Sequence, residues 1–77
     1  MRVDFSGVGR FRKDQYVTAG GINGKAVGWR FTRLGKAVAV RITARVPGKH
    51  GKTILFRPDQ VKARKGGNGS GPLPRLA

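Results

Sequence analysis

Two runs of alternating residues, joined by a very short link, most constrain how this chain can fold. Residues 25–32 carry large apolar side chains at odd positions, and residues 36–46 carry an apolar row at even positions. Only Arg33-Leu34-Gly35 separates the two runs. A two-residue period is that of a strand with one buried face, and a link this short joins antiparallel neighbours. The sequence therefore predicts a β-hairpin with Trp29 and Phe31 packed in the core.

Shorter segments on either side of this hairpin have the composition of strands. They cover residues 15–19, residues 52–57 around Ile54 and Phe56, and residues 61–63. The predicted turns lie at residues 20–24 (with an Asn-Gly pair), 47–51 and 58–60. No segment repeats the spacing of an amphipathic helix over several turns. The predicted class is all-β, a small five-stranded barrel.

A change of composition after residue 65 marks the end of the predicted domain. Residues 1–65 are expected to form one β-barrel domain with a basic N-terminal segment. Residues 66–77 are rich in Gly and Pro, which is typical of a flexible, disordered tail. The chain is short enough for one domain at most.

The charge balance points to the class of partner. Seventeen Lys and Arg residues face three acids (Asp4, Asp14 and Asp59), a formal net charge of +14. This much like charge on a small body is self-repelling, and an anionic partner relieves the repulsion. A compact basic domain is typical of a nucleic-acid binder. DNA or RNA is therefore the predicted partner, and an acidic protein remains the alternative.

Several other functions lack the residues they need. The chain has no Cys and one His, so a Cys/His zinc site is excluded and no metal is expected. No apolar stretch has the length of a membrane span and the N-terminus lacks a signal-peptide core, so an intracellular, cytoplasmic protein is expected. Association with the nucleoid or the ribosome is left open. The three acids form no evident acid–base pair, so no enzymatic activity and no cofactor are predicted. The oligomeric state is left open.

Residues 17–28 resemble a known motif. Gly20, Gly24 and Lys25 follow a strand end with the spacing of the KOW segment, although the third glycine, Gly28, falls one residue late. Such segments belong to SH3-like barrels of ribosomal proteins and transcription factors. The resemblance implies an SH3-like barrel that binds nucleic acid.

A second resemblance implies a different function. The stretch Gly24–Trp29, followed by Thr32 and Leu34, looks like part of the plasmid-borne type II dihydrofolate reductases, SH3-like barrels that form a tetramer around one active-site pore. That family carries a Val-Gln-Ile-Tyr stretch on a late strand. The matching stretch here, Thr53–Phe56, has neither the Gln nor the Tyr. A reductase is therefore kept only as a remote alternative.

The basic residues are the expected phosphate contacts, which position a protein without reading sequence. Arg30, Arg41 and Arg45 are expected to form one exposed basic stripe. Phe11, between two arginines, is the candidate for stacking on a base. Bound mainly through phosphates, duplex DNA or structured RNA fits best, with DNA slightly favoured. The full predicted set is Arg10, Arg12, Lys13, Lys25, Arg30, Arg33, Lys36, Arg41, Arg45, Lys49, Lys52, Lys62, Arg64 and Lys65.

Overall fold

Five antiparallel strands form one sheet in the computed structural model, which describes residues 11–64, 69 and 71–76. The strands are β1 (Gln15–Ala19), β2 (Ile22–Thr32), β3 (Gly35–Ile42), β4 (Thr53–Phe56) and β5 (Val61–Ala63). Their order is β4-β3-β2-β1-β5. The predicted all-β class is confirmed. In the described residues β4 and β5 are not paired with each other, so the sheet is open rather than a closed barrel. Membership of the SH3-like barrels stays a prediction.

The turn between β1 and β2 is tighter than predicted. Gly20 and Gly21 alone form it, with φ values of 57° and 82°, which glycine adopts without steric cost. The Asn23-Gly24 pair, part of the turn predicted over residues 20–24, lies inside β2 instead. Gly24 is needed there for space, because an added Cβ would lie 2.6 Å from the Arg41 carbonyl oxygen.

A β-bulge in β2 decides which residues face the core. The β2–β3 hairpin is confirmed, with Thr32 opposite Gly35, but its register shifts between Ala26 and Gly28. One extra residue in a strand places each side chain that follows it on the opposite face of the sheet. Trp29 therefore joins the core face and is half-buried. The prediction of a core Phe31 is wrong, because that ring lies beyond the last core partner and is 53% exposed.

The core is built from the inward faces of β1, β2, β3 and β5. Val38, Val40 and Ile42 confirm the predicted apolar row of β3. That strand ends at Ile42 rather than at residue 46, because the Ile42 backbone bonds to Lys52 and Gly51 on the returning loop. Arg45 consequently lies in a loop and not on a strand. The predicted turn at 47–51 is confirmed.

A short 3-10 helix, Pro58–Gln60, connects β4 to β5. The Gln60 N–H donates to the Arg57 carbonyl (2.9 Å), and the Gln60 side-chain oxygen accepts from the Arg57 N–H (3.2 Å). Proline suits the first position of a helical turn because its missing N–H would have no partner there. The predicted tight turn is thus confirmed. None of the described residues forms a helix of the length and apolarity that crossing a membrane requires.

The C-terminal residues 71–76 lie against the sheet, which differs from the disordered tail predicted for 66–77. Trp29 N–H donates to the Pro74 carbonyl (2.9 Å), and Leu76 N–H donates to the Trp29 carbonyl (2.7 Å). Leu73 is 8% exposed and belongs to the core. Since β1 pairs with β2 only as far as Ala26, Trp29 needs other backbone partners, and this segment supplies them. Residues 66–68, 70 and 77 of the predicted tail lie outside the described residues.

Candidate functional site

A row of polar side chains crosses three neighbouring strands on the sheet face opposite the core. The register places Tyr16 of β1 opposite Lys25 of β2, and Lys25 opposite Arg41 of β3. Directly paired residues project to the same side of a sheet. The three side chains therefore lie side by side, with both cations on adjacent strands.

Strand β5 extends this row with two more cations. Lys62 pairs with Thr18, two residues along β1 from Tyr16, so it shares the face of Tyr16. Just beyond β5, the Arg64 N–H donates to the Tyr16 carbonyl (2.8 Å). We call this surface the basic face, defined by Lys25, Arg41, Lys62, Arg64 and Tyr16.

Tyr16 organises the cations around it. The Lys25 ammonium lies 5.4 Å from the ring centroid, and the Arg64 guanidinium carbon lies 6.0 Å from it. Each such contact at an exposed site contributes about 0.5–1 kcal/mol. The tyrosine ring thus offsets part of the repulsion between two like charges.

Within the described residues, no carboxylate forms an ion pair with the basic face. Among the described residues the one ion pair joins Arg57 to Asp59 at 3.5 Å, and neither belongs to this face. Like charges directly opposite each other on paired strands are destabilising. Lys25 and Arg41 are such a pair. The face therefore carries an electrostatic cost that a bound polyanion would remove.

The predicted stripe of Arg30, Arg41 and Arg45 is interrupted. Register puts Arg30 and Arg41 on the same face, but Gly28 lies between them and Leu76 covers it. The Leu76 Cγ is 2.5 Å from where a Cβ on Gly28 would sit. Arg45 is exposed in the loop after β3 and so does not continue the stripe.

The other predicted cations are dispersed. Arg33 is exposed in the β2–β3 turn, and Lys36, at the start of β3, lies over Trp29. Lys49 and Lys52 are exposed in the loop that holds His50, whose Nδ1 is 3.2 Å from the Ala44 carbonyl. Arg12 and Lys13 are exposed ahead of β1. Arg10 and Lys65 lie outside the described residues. The structure thus gathers Lys25, Arg41, Lys62 and Arg64 and leaves the rest apart.

Phe11 is not a stacking residue. Its side chain is 1% exposed and lies in the core cluster that includes Leu73. The neighbouring bridge between Arg12 and Pro72 brings the C-terminal segment to this position. An aromatic between two arginines looks exposed in the sequence, but a segment sixty residues later in the chain covers it.

Sequence reasoning missed Tyr16 and Arg75. The alternation of Tyr16 and Thr18 with the buried Val17 and Ala19 is a signal that could have placed Tyr16 on the exposed face. No local pattern marks Arg75, because its position depends on the docking of the C-terminal segment. Within the part of the chain that the structure describes, no three His, Cys, Asp or Glu side chains come together to hold a metal ion.

Comparisons with protein-family models, curated proteins and solved structures found no match to this chain.

Proposed function

We propose that this protein binds nucleic acid through phosphate contacts made by the basic face, largely without regard to sequence. The observation that carries the proposal is the cross-strand pair of Lys25 and Arg41, which Lys62 and Arg64 extend. These four cations have no carboxylate partner among the described residues. Such an arrangement lowers stability unless an anion is bound. The resemblance to KOW-type barrels supports the same function.

The dimensions of the basic face suit a duplex. Its four cations come from β3, β2, β5 and the residue after β5. Since β1 lies between β2 and β5, they span four strand positions. At about 4.8 Å between strands this is roughly 14 Å across. The major groove of B-DNA is about 12 Å wide, so phosphates flanking one groove lie within reach of opposite sides of the face.

The character of the contacts favours binding without sequence preference. Lys and Arg on a sheet face reach phosphate oxygens, which carry no sequence information. The ligand class we propose is duplex nucleic acid, with DNA slightly favoured over structured RNA. The role that follows is architectural or accessory.

The test compares two variants that remove equal charge. One replaces the four cations of the basic face by glutamine (Lys25→Gln, Arg41→Gln, Lys62→Gln, Arg64→Gln). The control replaces two lysines and two arginines elsewhere (Arg33→Gln, Arg45→Gln, Lys49→Gln, Lys52→Gln), which are all exposed. Either change lowers the formal net charge from +14 to 14 − 4 = +10. Binding to a labelled duplex is measured by anisotropy at fixed salt.

We expect the basic-face variant to lose about 4- to 700-fold in duplex affinity, since four surface ion pairs contribute about 0.2–1 kcal/mol each. The control should lose much less. Equal losses in the two variants would mean that net charge alone, and not this face, drives binding. Circular dichroism and urea unfolding serve as the control that both variants are folded.

A second candidate function is binding of an acidic protein. An open depression of about 530 Å³ lies at the end of the sheet, lined by apolar side chains that include the exposed Leu34 and Leu55. Arg33 and Arg57 are also among the residues that line it. An acidic segment with an apolar anchor would match these features. Weak duplex binding that is insensitive to both variants would favour this function.

A further inference from the structure

Two aromatic rings, the half-buried Trp29 and the exposed Phe31, lie together at the far end of β2. Trp29 and Phe31 meet edge to face, with ring centroids 5.2 Å apart and planes at 83°. Phe31 is 53% exposed although it is a large apolar side chain on a strand. Edge-to-face contact is one of the arrangements that aromatic pairs favour.

Cations lie over both rings. The Lys36 ammonium lies 4.8 Å from the Trp29 centroid. The Arg75 guanidinium carbon lies 4.9 Å from the Phe31 centroid and 5.7 Å from that of Trp29. The cluster therefore combines an open aromatic surface with two positive charges. We call Trp29, Phe31, Lys36 and Arg75 the aromatic cluster.

The C-terminal segment fixes Arg75 in this place. Trp29 and Arg75 are partners in a parallel bridge, so their side chains project to the same side. The adjoining hydrogen bonds, from Trp29 to Pro74 and from Leu76 to Trp29, hold the backbone on both sides of Arg75. The main-chain hydrogen bonds of the flanking residues therefore hold the Arg75 backbone in position.

The aromatic cluster is separate from the basic face. Because of the bulge, Phe31 and Trp29 share the face of Val38 and Lys36, whereas Lys25 and Arg41 lie on the opposite face. Phe31 is six residues along β2 from Lys25. At about 3.3 Å per residue this is roughly 20 Å. One duplex on the basic face would thus leave the aromatic cluster free.

We propose that the aromatic cluster binds an unpaired base of single-stranded nucleic acid, which stacks on Phe31 while Arg75 and Lys36 contact the adjacent phosphates. The inference rests on the proposed function and adds a second ligand form, an unpaired strand. An exposed ring beside cations is the arrangement by which single-strand binders combine stacking with phosphate neutralisation. A nucleotide supplies the flat π surface and the negative charge together, whereas an acidic peptide residue supplies only the charge.

The probe is a labelled twelve-residue oligothymidylate, with an abasic phosphodiester of equal length as its charge-matched control. Trp29 is the only tryptophan in the chain, so its fluorescence reports on this cluster alone. We expect the oligothymidylate to change Trp29 emission saturably and the abasic strand to leave it nearly unchanged. An equal response to both strands would overturn the inference, because phosphates alone would then suffice.

The variant that tests stacking is Phe31→Ala, with Leu34→Ala as control because Leu34 is an 84% exposed apolar residue in the adjacent turn. We expect Phe31→Ala to weaken oligothymidylate binding by about 5- to 150-fold, the equivalent of roughly 1–3 kcal/mol for one stacked base. Duplex affinity should stay within about twofold. Phe31→Trp should retain single-strand binding, and Leu34→Ala should match the unchanged protein.

The outcomes separate this inference from the proposed function. If the duplex binds through the basic face and Phe31→Ala leaves oligothymidylate affinity unchanged, only the inference is overturned. If neither duplex nor oligothymidylate binds the unchanged protein, the proposed function itself fails. If Phe31→Ala reduces binding of a polyglutamate peptide and not of the oligothymidylate, the cluster is a protein-binding site and the inference is wrong.

Discussion

Phe11 and Phe31 have opposite environments at the residue scale, and neither could be assigned from its sequence neighbours. Phe11 lies between two arginines and is 1% exposed, whereas Phe31 continues an apolar alternation and is 53% exposed. Phe11 is buried because of its contact with the C-terminal segment. Phe31 is exposed because a one-residue bulge sets the face on which it lies and because the core ends before it. The exposure of these two aromatic side chains therefore depends on contacts between segments that are far apart in the sequence.

The same substitution at these two positions should have very different effects on stability. Phe11→Ala is expected to lower the free energy of unfolding by about 3–5 kcal/mol, the range for removing a buried phenylalanine. Phe31→Ala removes a half-exposed ring and is expected to cost less than about 1 kcal/mol. Urea unfolding followed by circular dichroism measures both. Similar midpoints for the two variants would contradict the burial of Phe11.

At the scale of elements, the sequence predicts the strands better than it predicts their faces. Residues 15–19, the β2–β3 hairpin, the turn at 47–51 and the Pro58–Gln60 turn follow from local alternation and turn residues. The alternation of apolar and polar residues in β2 does not reveal the bulge near Val27. The adjacent Gly28 is a signal for it, because a glycine inside a strand often marks a bulge.

Other features of the fold and the site depend on pairing between distant segments. The end of β3 at Ile42 is set by the loop that returns to it. The basic face could be predicted only in part. The sequence shows which residues are cations, but the strand register determines which of them lie side by side. Lys25 and Arg41 are sixteen residues apart in sequence and directly opposite in the sheet.

The docked C-terminal segment yields a prediction at this scale. Leu73→Ala removes a side chain that is 8% exposed in the core, and we expect it to lower the free energy of unfolding by about 2–3 kcal/mol. It should also speed hydrogen exchange at the Trp29 amide, which donates to the Pro74 carbonyl. Leu34→Ala serves as control and should change neither quantity. Unchanged exchange at Trp29 in Leu73→Ala would show that the segment does not protect this edge.

At the scale of the whole molecule, charge is the dominant property. A formal net charge of +14 on 77 residues is spread over both sheet faces and the loops, but the register concentrates four cations on one face. An anion bound there both relieves repulsion and stabilises the folded state by mass action. The central claim is that this face, and not diffuse charge, contacts the phosphates.

The salt dependence of duplex binding tests that claim most directly. For B-DNA the slope of log affinity against log salt is about −0.9 per phosphate contacted. We expect the slope to become shallower by about 3 to 4 when Lys25, Arg41, Lys62 and Arg64 are replaced by glutamine. In the control, with Arg33, Arg45, Lys49 and Lys52 replaced, it should change by less than about 1. The same slope for the unchanged protein and the basic-face variant would contradict the account.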